Sequence, residues 1–236
     1  MSKKGQNKKA KAISMPKTIN VSKKNNFWTV QTKAGPYSKM TSVPLGIVVR
    51  NYIGIASTLK EAKKMLNESE VKVNGVVRLD HQFPVGLFDV IAIEKQKLFF
   101  RVMLDEKGRL IIKPIEKESK EKVSKITNKT MTSKGIQLTT NDGRTYIGTK
   151  ANVGDSVKLL LPEGKIESVI ELKTGATVYV TNGAHCSQIA TITEIVLGTQ
   201  RRDELVKLSK GKENFETILA NVIAIGKSKP EMQDIQ

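Results

Sequence analysis

The stretch TLKEAKKMLNESEVKVNGVV, residues 58–77, carries the strongest structural signal in the chain, because its hydrophobic period changes from helical to alternating. Thr58 and Glu61 have the spacing of a capping box, in which each side chain accepts a hydrogen bond from a free backbone N–H group at a helix start. Leu59, Ala62 and Leu66 then fall on one face and are expected to be buried, while Lys60, Lys63 and Lys64 project elsewhere. The pattern predicts an amphipathic helix that begins directly after the threonine.

An alternating pattern follows the predicted end of this helix at Asn67. Residues 71–77 form two short apolar runs around Asn74 and Gly75. This dipeptide favours a tight hairpin turn because both positions tolerate a positive φ. A further apolar strand is expected from residue 89 to residue 93.

The flanking segments extend this prediction in both directions. Upstream, Pro44 opens an apolar stretch whose spacing predicts a helix with proline in its first turn, ending at Gly54. From about residue 98 the apolar runs are short, rich in Val and Ile and ended by turn residues, which is typical of small β-barrels. The mixed-sign stretch 116–122 is expected to be a solvated turn or short helix. The chain is therefore predicted to be α+β, multi-domain and mainly β.

The positive charge is concentrated at the N-terminal end. The chain has 236 residues and a formal net charge of +17, and its first 60 residues hold 12 cations with no acid before Glu61. Only +5 remains for residues 61–236. Because like charges repel, residues 1–26 are expected to form an extended arm until a polyanion neutralises them.

Nucleic acid is the polyanion that we favour, since neutralising phosphates releases condensed counterions. An anionic membrane surface is the competing partner, but the arm lacks the regular apolar face of an interfacial helix. A tail kept only for solubility is the third interpretation. It is disfavoured because one-sided charge costs more repulsion than solubility requires.

Phe27, Trp28 and Val30 form the first apolar group after the arm, and Trp28 is the only tryptophan. An exposed tryptophan can stack on a nucleic-acid base. A tryptophan beside Phe and Val more often packs inside the protein, so we expect packing here.

The sequence shows few features of catalysis, metal binding or membrane insertion. No apolar run approaches the roughly 18 to 20 residues of a membrane span, and no secretory signal is seen, which predicts a cytoplasmic protein. Cys186 cannot form an internal disulfide, and with only His81 and His185 it cannot complete a four-ligand zinc site. Neighbouring residues on a strand point to opposite faces, so His185 and Cys186 are not expected to act as a base and a nucleophile. No phosphate-binding loop motif is found. We expect no enzyme activity, no cofactor, no metal and no small-molecule substrate.

Two helices with a basic face leading into a Val-x-Val-Asn-Gly hairpin resemble the small αL RNA-binding domain of ribosomal and RNA-modifying proteins. In that domain the second helix and the hairpin turn form a ridge that meets a structured RNA groove. This chain has Leu59 where the domain usually has arginine, so the cationic role passes to Lys60, Lys63 and Lys64. The matching residues are Thr58, Glu61, Ala62, Leu66, Val71, Val73, Asn74, Gly75 and Asp89.

Nearly the whole chain, in order, resembles the archaeal and eukaryotic small-subunit ribosomal protein family S4e. The opening Lys3-Lys4-Gly5 and the segment around Trp28 also fit that family. The stretches that carry the resemblance are 44–52, 61–63, 83–87 with 89–91, 215–218 and 222–226.

The resemblance implies a basic arm and anchor (1–42), an αL domain (43–94), a β-barrel-like middle domain (95–171) and an SH3-like KOW barrel with the C-terminal tail (172–236). It also implies a structural role in the small subunit, supporting assembly and translation, with small-subunit ribosomal RNA and neighbouring ribosomal proteins as partners. The cations and polar residues expected to contact RNA are Lys3, Lys4, Lys8, Lys9, Lys11, Lys17, Lys23, Lys24, Arg50, Lys60, Lys63, Lys64, Lys72, Asn74 and Arg78.

The KOW loop is expected at Asn182, Gly183 and His185, where asparagine and glycine permit the turn. Ala184 stands where the family has lysine, and Ser187 and Ala190 stand where it has later glycines.

Two non-ribosomal alternatives remain. One is an RNA-modifying enzyme with an αL handle, which would need a catalytic pocket. The other is a transcription or translation factor that uses its KOW domain for protein contacts. The basic arm suits permanent burial in RNA better than transient exchange.

Overall fold

The computed structural model describes residues 9–116, 119–133, 135–211, 213–228 and 230–232. Strands make up most of the regular structure, and they form several separate sheets. The prediction of a mainly β chain is confirmed at this level. The backbone divides into two compact units, which are Met1–Met103 with Arg109–Glu118 and Leu104–Gly108 with Ser119–Gln236.

The first unit combines two helical segments with short strands. Helix α1 begins as an α-helical turn, Leu45–Ile47, and continues as a π-helical segment, Val48–Ile53, while helix α2 is Leu59–Asn67. Single 3-10 turns lie at Ala12–Ser14 and Glu94–Gln96. The strands are β1 Lys9–Lys11, β2 Trp28–Val30, β3 Val43–Pro44, β4 Val71–Val73, β5 Val76–Val77, β6 Pro84–Val85, β7 Val90–Ile93, β8 Leu98–Leu104 and β9 Leu110–Ile115.

Helix α1 is close to its predicted position, and its first five residues are buried. Leu45, Ile47 and Val49 have no exposed surface. Pro44 lies one residue before the first helical residue rather than inside the first turn. Gly54 ends the segment with φ +77°, a left-handed conformation that glycine adopts without a Cβ penalty.

The main sheet of the first unit has the order β5-β4-β7-β8-β9. β4 and β5 form the predicted hairpin, with Val73 paired to Val76 across a turn in which Asn74 has φ +54° and Gly75 has φ +75°. Two small sheets, β1-β2 and β3-β6, complete the unit. All four residues of β7 are buried, which places this strand in the core.

The expectation of an extended arm is wrong for its described part. β1 pairs with β2, and Ala12, Met15 and Ile19 are buried. The carbonyl of Thr18 accepts a hydrogen bond from Leu110 N at 2.8 Å. Three apolar side chains, a short backbone ladder and this hydrogen bond attach the lysine-rich segment to the first unit.

The second unit contains two five-stranded antiparallel sheets and one 3-10 turn, Leu219–Asn221. The first sheet has the order β12-β11-β10-β13-β14 and the second β18-β17-β16-β15-β19. The strands are β10 Glu121–Thr132, β11 Gly135–Thr140, β12 Thr145–Ile147, β13 Ser156–Leu160, β14 Lys165–Ile170, β15 Thr177–Val180, β16 Ile189–Val196, β17 Leu205–Lys210, β18 Glu213–Ile218 and β19 Val222–Gly226.

The long strand β10 organises the first of these sheets. Its first half pairs with β13 and its second half with β11. Ile126, Leu138, Val157 and Leu159 have no exposed surface and form the centre of the apolar cluster. No helix in the described part of the chain is long and apolar enough to cross a membrane.

The start of β10 corrects the interpretation of the mixed-sign stretch 116–122. Lys122 is in a strand rather than a solvated turn, and only 2% of its surface is exposed. Its ammonium group lies 3.0 Å from the Asp142 carboxylate. This pairing supplies the opposite charge that a buried lysine requires.

Candidate nucleic-acid interface

Helix α2 begins with the capping box that the sequence predicts. Glu61 N donates to Thr58 Oγ1 at 3.3 Å, and the Glu61 carboxylate accepts from the backbone N–H groups of Ser57 and Thr58 at 2.8 and 3.2 Å. The bond from Ser57, followed by that from Thr58, lowers the pKa of Glu61. Glu61, the only acid in the first turn, therefore places a negative charge at the N-terminus of the helix, where the helix dipole favours it.

The three lysines of α2 are exposed, and Ala62 and Leu66 beneath them are completely buried. Within the described residues, no carboxylate lies within ion-pair distance of Lys60 or Lys63. Lys64 has a 3.9 Å contact to Glu68, in which the two side chains are 79% and 43% exposed. Such surface pairs contribute little, so all three cations can take up an external anion.

The positive potential of α2 extends to the neighbouring loop at His81. Burial lowers the pKa of His81, and the charge of Lys63 lowers it further, against the opposing effect of Asp80. The backbone of this loop is fixed to α1, because the His81 carbonyl accepts a hydrogen bond from Gly46 N at 2.8 Å. The charge of Lys63 therefore helps to keep His81 neutral, and the loop is a neighbour of the lysine face that adds no cation to it.

The hairpin residues differ in what they present to solvent. Lys72 forms an ion pair with Glu94, which offsets part of its charge. Asn74 is buried, donating to Asp89 Oδ1 at 2.8 Å and accepting from Val90 N at 2.9 Å. Both ends of the Asn74 amide are thus used to hold the turn, and neither is presented to an RNA in this geometry.

Two arginines flank the ridge formed by α2 and the hairpin. The Arg78 guanidinium lies 4.5 Å from the centre of the Phe83 ring, a cation–π contact that fixes its direction. Arg50, half-buried at the end of α1, donates from Nε to Asn51 Oδ1 at 2.7 Å.

The N-terminal lysines lie on a segment attached to the same unit. Lys3, Lys4 and Lys8 are outside the described residues, and for Lys9 only the backbone is described. Lys23 donates to the Met15 carbonyl at 3.2 Å. The hydroxyl of Tyr52 accepts from Asn20 N at 2.8 Å, which anchors the lysine-rich segment to α1. The cations on this segment that are exposed are Lys11, Lys17, Lys23 and Lys24.

The predicted KOW loop joins β15 and β16 in the second unit. Asn182 and Gly183 are exposed, and Gly183 has φ +100° with nothing within 4 Å of a Cβ placed there. The His185 ring stacks on Phe215 with centroids 4.0 Å apart and an interplanar angle of 20°. The backbone at Asn182 and Gly183 is therefore accessible to a partner, whereas the His185 ring is held against Phe215.

His185 and Cys186 perform separate packing roles in this loop. Cys186 is buried and donates from Sγ to the Thr181 carbonyl at 3.1 Å. Burial raises the pKa of its thiol, which disfavours the reactive thiolate. Among the described residues, no group of three or more His, Cys, Asp or Glu side chains could hold a metal ion.

Two features were missed in the sequence. Lys125 is largely buried, and its ammonium group donates to the carbonyls of Leu219, Ala220 and Val222 at 2.7 to 3.1 Å. No local pattern distinguishes this lysine from its neighbours. The second feature is the exposure of Trp28. Its position in a lysine-rich segment without acids could have indicated that exposure.

Comparison with known proteins identifies the family. A small ribosomal subunit protein eS4 from Methanosphaera stadtmanae is 38% identical over 233 residues, which cover 98% of this chain and 97% of that protein. The chain belongs to the ribosomal protein S4e family. The S4e family model itself matches residues 96–166.

Further S4e proteins agree with this assignment. Small ribosomal subunit protein eS4 from Archaeoglobus fulgidus is 36% identical and covers 92% of both chains. The crystal structure of the 30S ribosomal protein S4e from Thermoplasma acidophilum matches with a TM-score of 0.70 at 32% identity, covering 80% of this chain and 96% of that one. The S4e likeness therefore includes the tertiary fold.

Proposed function

We propose that this S4e chain is a structural constituent of the small ribosomal subunit that binds ribosomal RNA and supports subunit assembly and translation. The observation that carries the proposal is the nearly full-length similarity to proteins named small ribosomal subunit protein eS4. The net charge of +17 is the physical counterpart, since a polyanion stabilises such a chain.

The ridge of α2 and the β4–β5 hairpin is our candidate for the main RNA contact. Its support is the set of exposed lysines Lys60, Lys63 and Lys64 above a buried apolar face. In an αL domain, a ridge of this kind reads RNA mainly by shape and phosphate position. We assign Arg50 and Arg78 to its edges and Asn74 to the support of its turn.

The rest of the chain is assigned by the same proposal to further contacts within the subunit. The middle sheet would form the β-barrel-like domain and the last sheet the SH3-like KOW domain, with neighbouring ribosomal proteins as additional partners. A catalytic role is not part of the proposal. The thiol of Cys186 donates to the Thr181 carbonyl and the His185 ring stacks on Phe215, which supports packing roles for both side chains.

The double variant Lys60→Glu with Lys64→Glu tests the ridge. Filter binding to purified small-subunit ribosomal RNA should show at least about a tenfold weaker affinity, because repulsion replaces attraction at two phosphates. The slope of log affinity against log salt should also fall by about 0.7 to 0.9 for each phosphate that the variant no longer neutralises. Thermal stability should change little, as is usual for surface substitutions.

Lys165→Glu with Lys173→Glu is the matched control. It makes the same change in net charge, but each of these exposed lysines is already paired with a neighbouring glutamate. Affinity equal to that of the wild type is expected. If both double variants bind equally weakly, net charge and not the ridge governs binding. Sedimentation tests the ribosomal role itself, which is refuted if the native protein sediments alone while small subunits lack it.

A further inference from the structure

Two adjacent aromatic rings project from the lysine-rich segment of the first unit. Phe27 is 60% exposed and Trp28 is 53% exposed, in contrast to the interior packing that the sequence favours for the tryptophan. Their rings form an edge-to-face pair with centroids 5.0 Å apart and an interplanar angle of 81°. Exposed large aromatic groups of this kind commonly mark a binding surface.

The backbone beneath the two rings is held in place. β2 pairs with β1, and the Phe27 carbonyl accepts a hydrogen bond from Ala12 N at 2.9 Å. Ala12 and Val30 are buried at opposite ends of this ladder. The rings are therefore presented from an ordered strand, so binding would not have to order the backbone under them.

A positive charge lies beside the rings. Lys11 is the direct cross-strand partner of Trp28, and its ammonium group lies 5.5 Å from the centre of the Phe27 ring. Residues 9–33 contain six lysines and no acid. An aromatic face beside a cation matches the two parts of a nucleotide, a base that stacks and a phosphate that carries charge.

We propose that Phe27 and Trp28 form a stacking platform for an unpaired base in a single-stranded segment of RNA, with Lys11 contacting an adjacent phosphate. Paired bases in an A-form helix are already stacked on their neighbours and are not available to the rings, whereas bases in loops, bulges and ends are. The inference rests on the proposed function in taking RNA as the partner. It adds a contact that is chemically distinct from the phosphate contacts of α2.

The single tryptophan makes the platform directly observable in the full-length protein. Trp28 fluorescence should be quenched when decaadenylate is added and should change little with a ten-base-pair RNA duplex at the same phosphate concentration. Replacing Trp28 by Ala should weaken decaadenylate binding about 5-fold or more, with about 150-fold as the upper end for one stacked base. Trp28→Phe should keep most of the affinity.

Leu197→Ala is the control, since Leu197 is 80% exposed and apolar but lies on a loop of the second unit. It should bind decaadenylate as the wild type does. Equal quenching by single strand and duplex would overturn the platform, because charge attraction alone would then explain the signal.

The same variants separate this inference from the proposed function when small-subunit ribosomal RNA is the probe. Weaker binding by the Lys60→Glu with Lys64→Glu variant, with no effect of Trp28→Ala and no change in Trp28 emission, would refute the platform and leave the proposed function intact. Quenching by decaadenylate without affinity for ribosomal RNA would support the platform and refute the proposed function. Absence of binding to either RNA would refute both.

Discussion

The buried carboxylate of Asp142 should be essential for the stability of the second unit. Its side chain and that of Lys122 are only 2% and 3% exposed, and Lys122 Nζ lies 3.0 Å from Asp142 Oδ2. Arg144 Nε is 3.8 Å from the same oxygen, and Ser124 Oγ donates to it at 3.4 Å. Thr140 Oγ1 donates to the other oxygen. One carboxylate thus joins β10, β11 and the turn that follows.

Asp142→Asn keeps the volume of this side chain and removes its charge. Burial by itself would raise the pKa of Asp142, but the charge of Lys122 and the hydrogen bonds from Thr140 and Lys122 outweigh it and hold the pKa below its usual value. The carboxylate is therefore ionised at neutral pH. Removing one member of a buried ion pair costs about 3 to 5 kcal/mol, since the other charge loses its compensation.

Hydrogen exchange of peptides from residues 121–140 measures this cost in the second unit. About 3 kcal/mol corresponds to a loss of protection of at least about 100-fold. Lys122→Met should cost much less in the Asp142→Asn background than alone, because the two groups interact directly. Glu163→Gln, which removes an exposed carboxylate paired with Lys165, should leave protection unchanged.

Acid should reduce the difference between the wild type and Asp142→Asn. A carboxylate whose pKa is lower in the folded than in the unfolded chain stabilises the fold at pH values above its unfolded pKa, which is near 4 for aspartate. It loses this contribution as the pH falls through its folded pKa. The gap in unfolding free energy should therefore be full at pH 7 and narrow below about pH 4. If Asp142→Asn reduces protection no more than Glu163→Gln does, or if the gap does not depend on pH, the assignment of the stabilisation to this ion pair is refuted.

Three further outcomes are expected. Leu66→Ala should lower the unfolding free energy by about 2 to 5 kcal/mol in circular-dichroism melts, because Leu66 has no exposed surface and truncation leaves a cavity. Burial lowers the pKa of Lys125 to about 8, so above that pH the unfolded chain binds more protons than the folded chain does. The unfolding free energy of the wild type should therefore rise between about pH 8 and 10. Lys125→Met should show a smaller rise in denaturant titrations. Deleting residues 1–8 should flatten the salt dependence of RNA binding in filter assays, because it removes three lysines. Deleting residues 1–26 should flatten it further and also lower the melting temperature, since the longer deletion removes buried Met15.

Local structure was predictable wherever it depends on residues close together in the chain. The capping box of Thr58 and Glu61, and the Asn74-Gly75 turn, each involve groups within three positions of one another. Gly54 ends α1 because glycine, having no Cβ, adopts the left-handed conformation that the helix end requires. The lysines of α2 were placed correctly on the exposed face because the helical period alone separates them from the buried face.

Burial of the remaining charged and aromatic groups could not be derived in this way. Lys122 belongs to a stretch with the composition of a solvated turn, yet it pairs with Asp142, 20 positions away. Trp28 has the neighbours of a core residue, yet it lies on the outer side of a two-stranded ladder. Asn74, predicted as an RNA contact, turns inward because Asp89 and Val90 offer partners for both ends of its amide.

Sequence alone thus establishes the periods, the turns and the uneven charge, which together indicate a multi-domain RNA-binding chain. Tertiary structure decides which lysines are free to meet phosphate, which are consumed in ion pairs, and which aromatic rings reach solvent. The physical reason is that side-chain burial is set by pairing between segments distant in the chain. The same lysine is stable in the interior beside a carboxylate or on the surface in water, and local pattern does not distinguish the two.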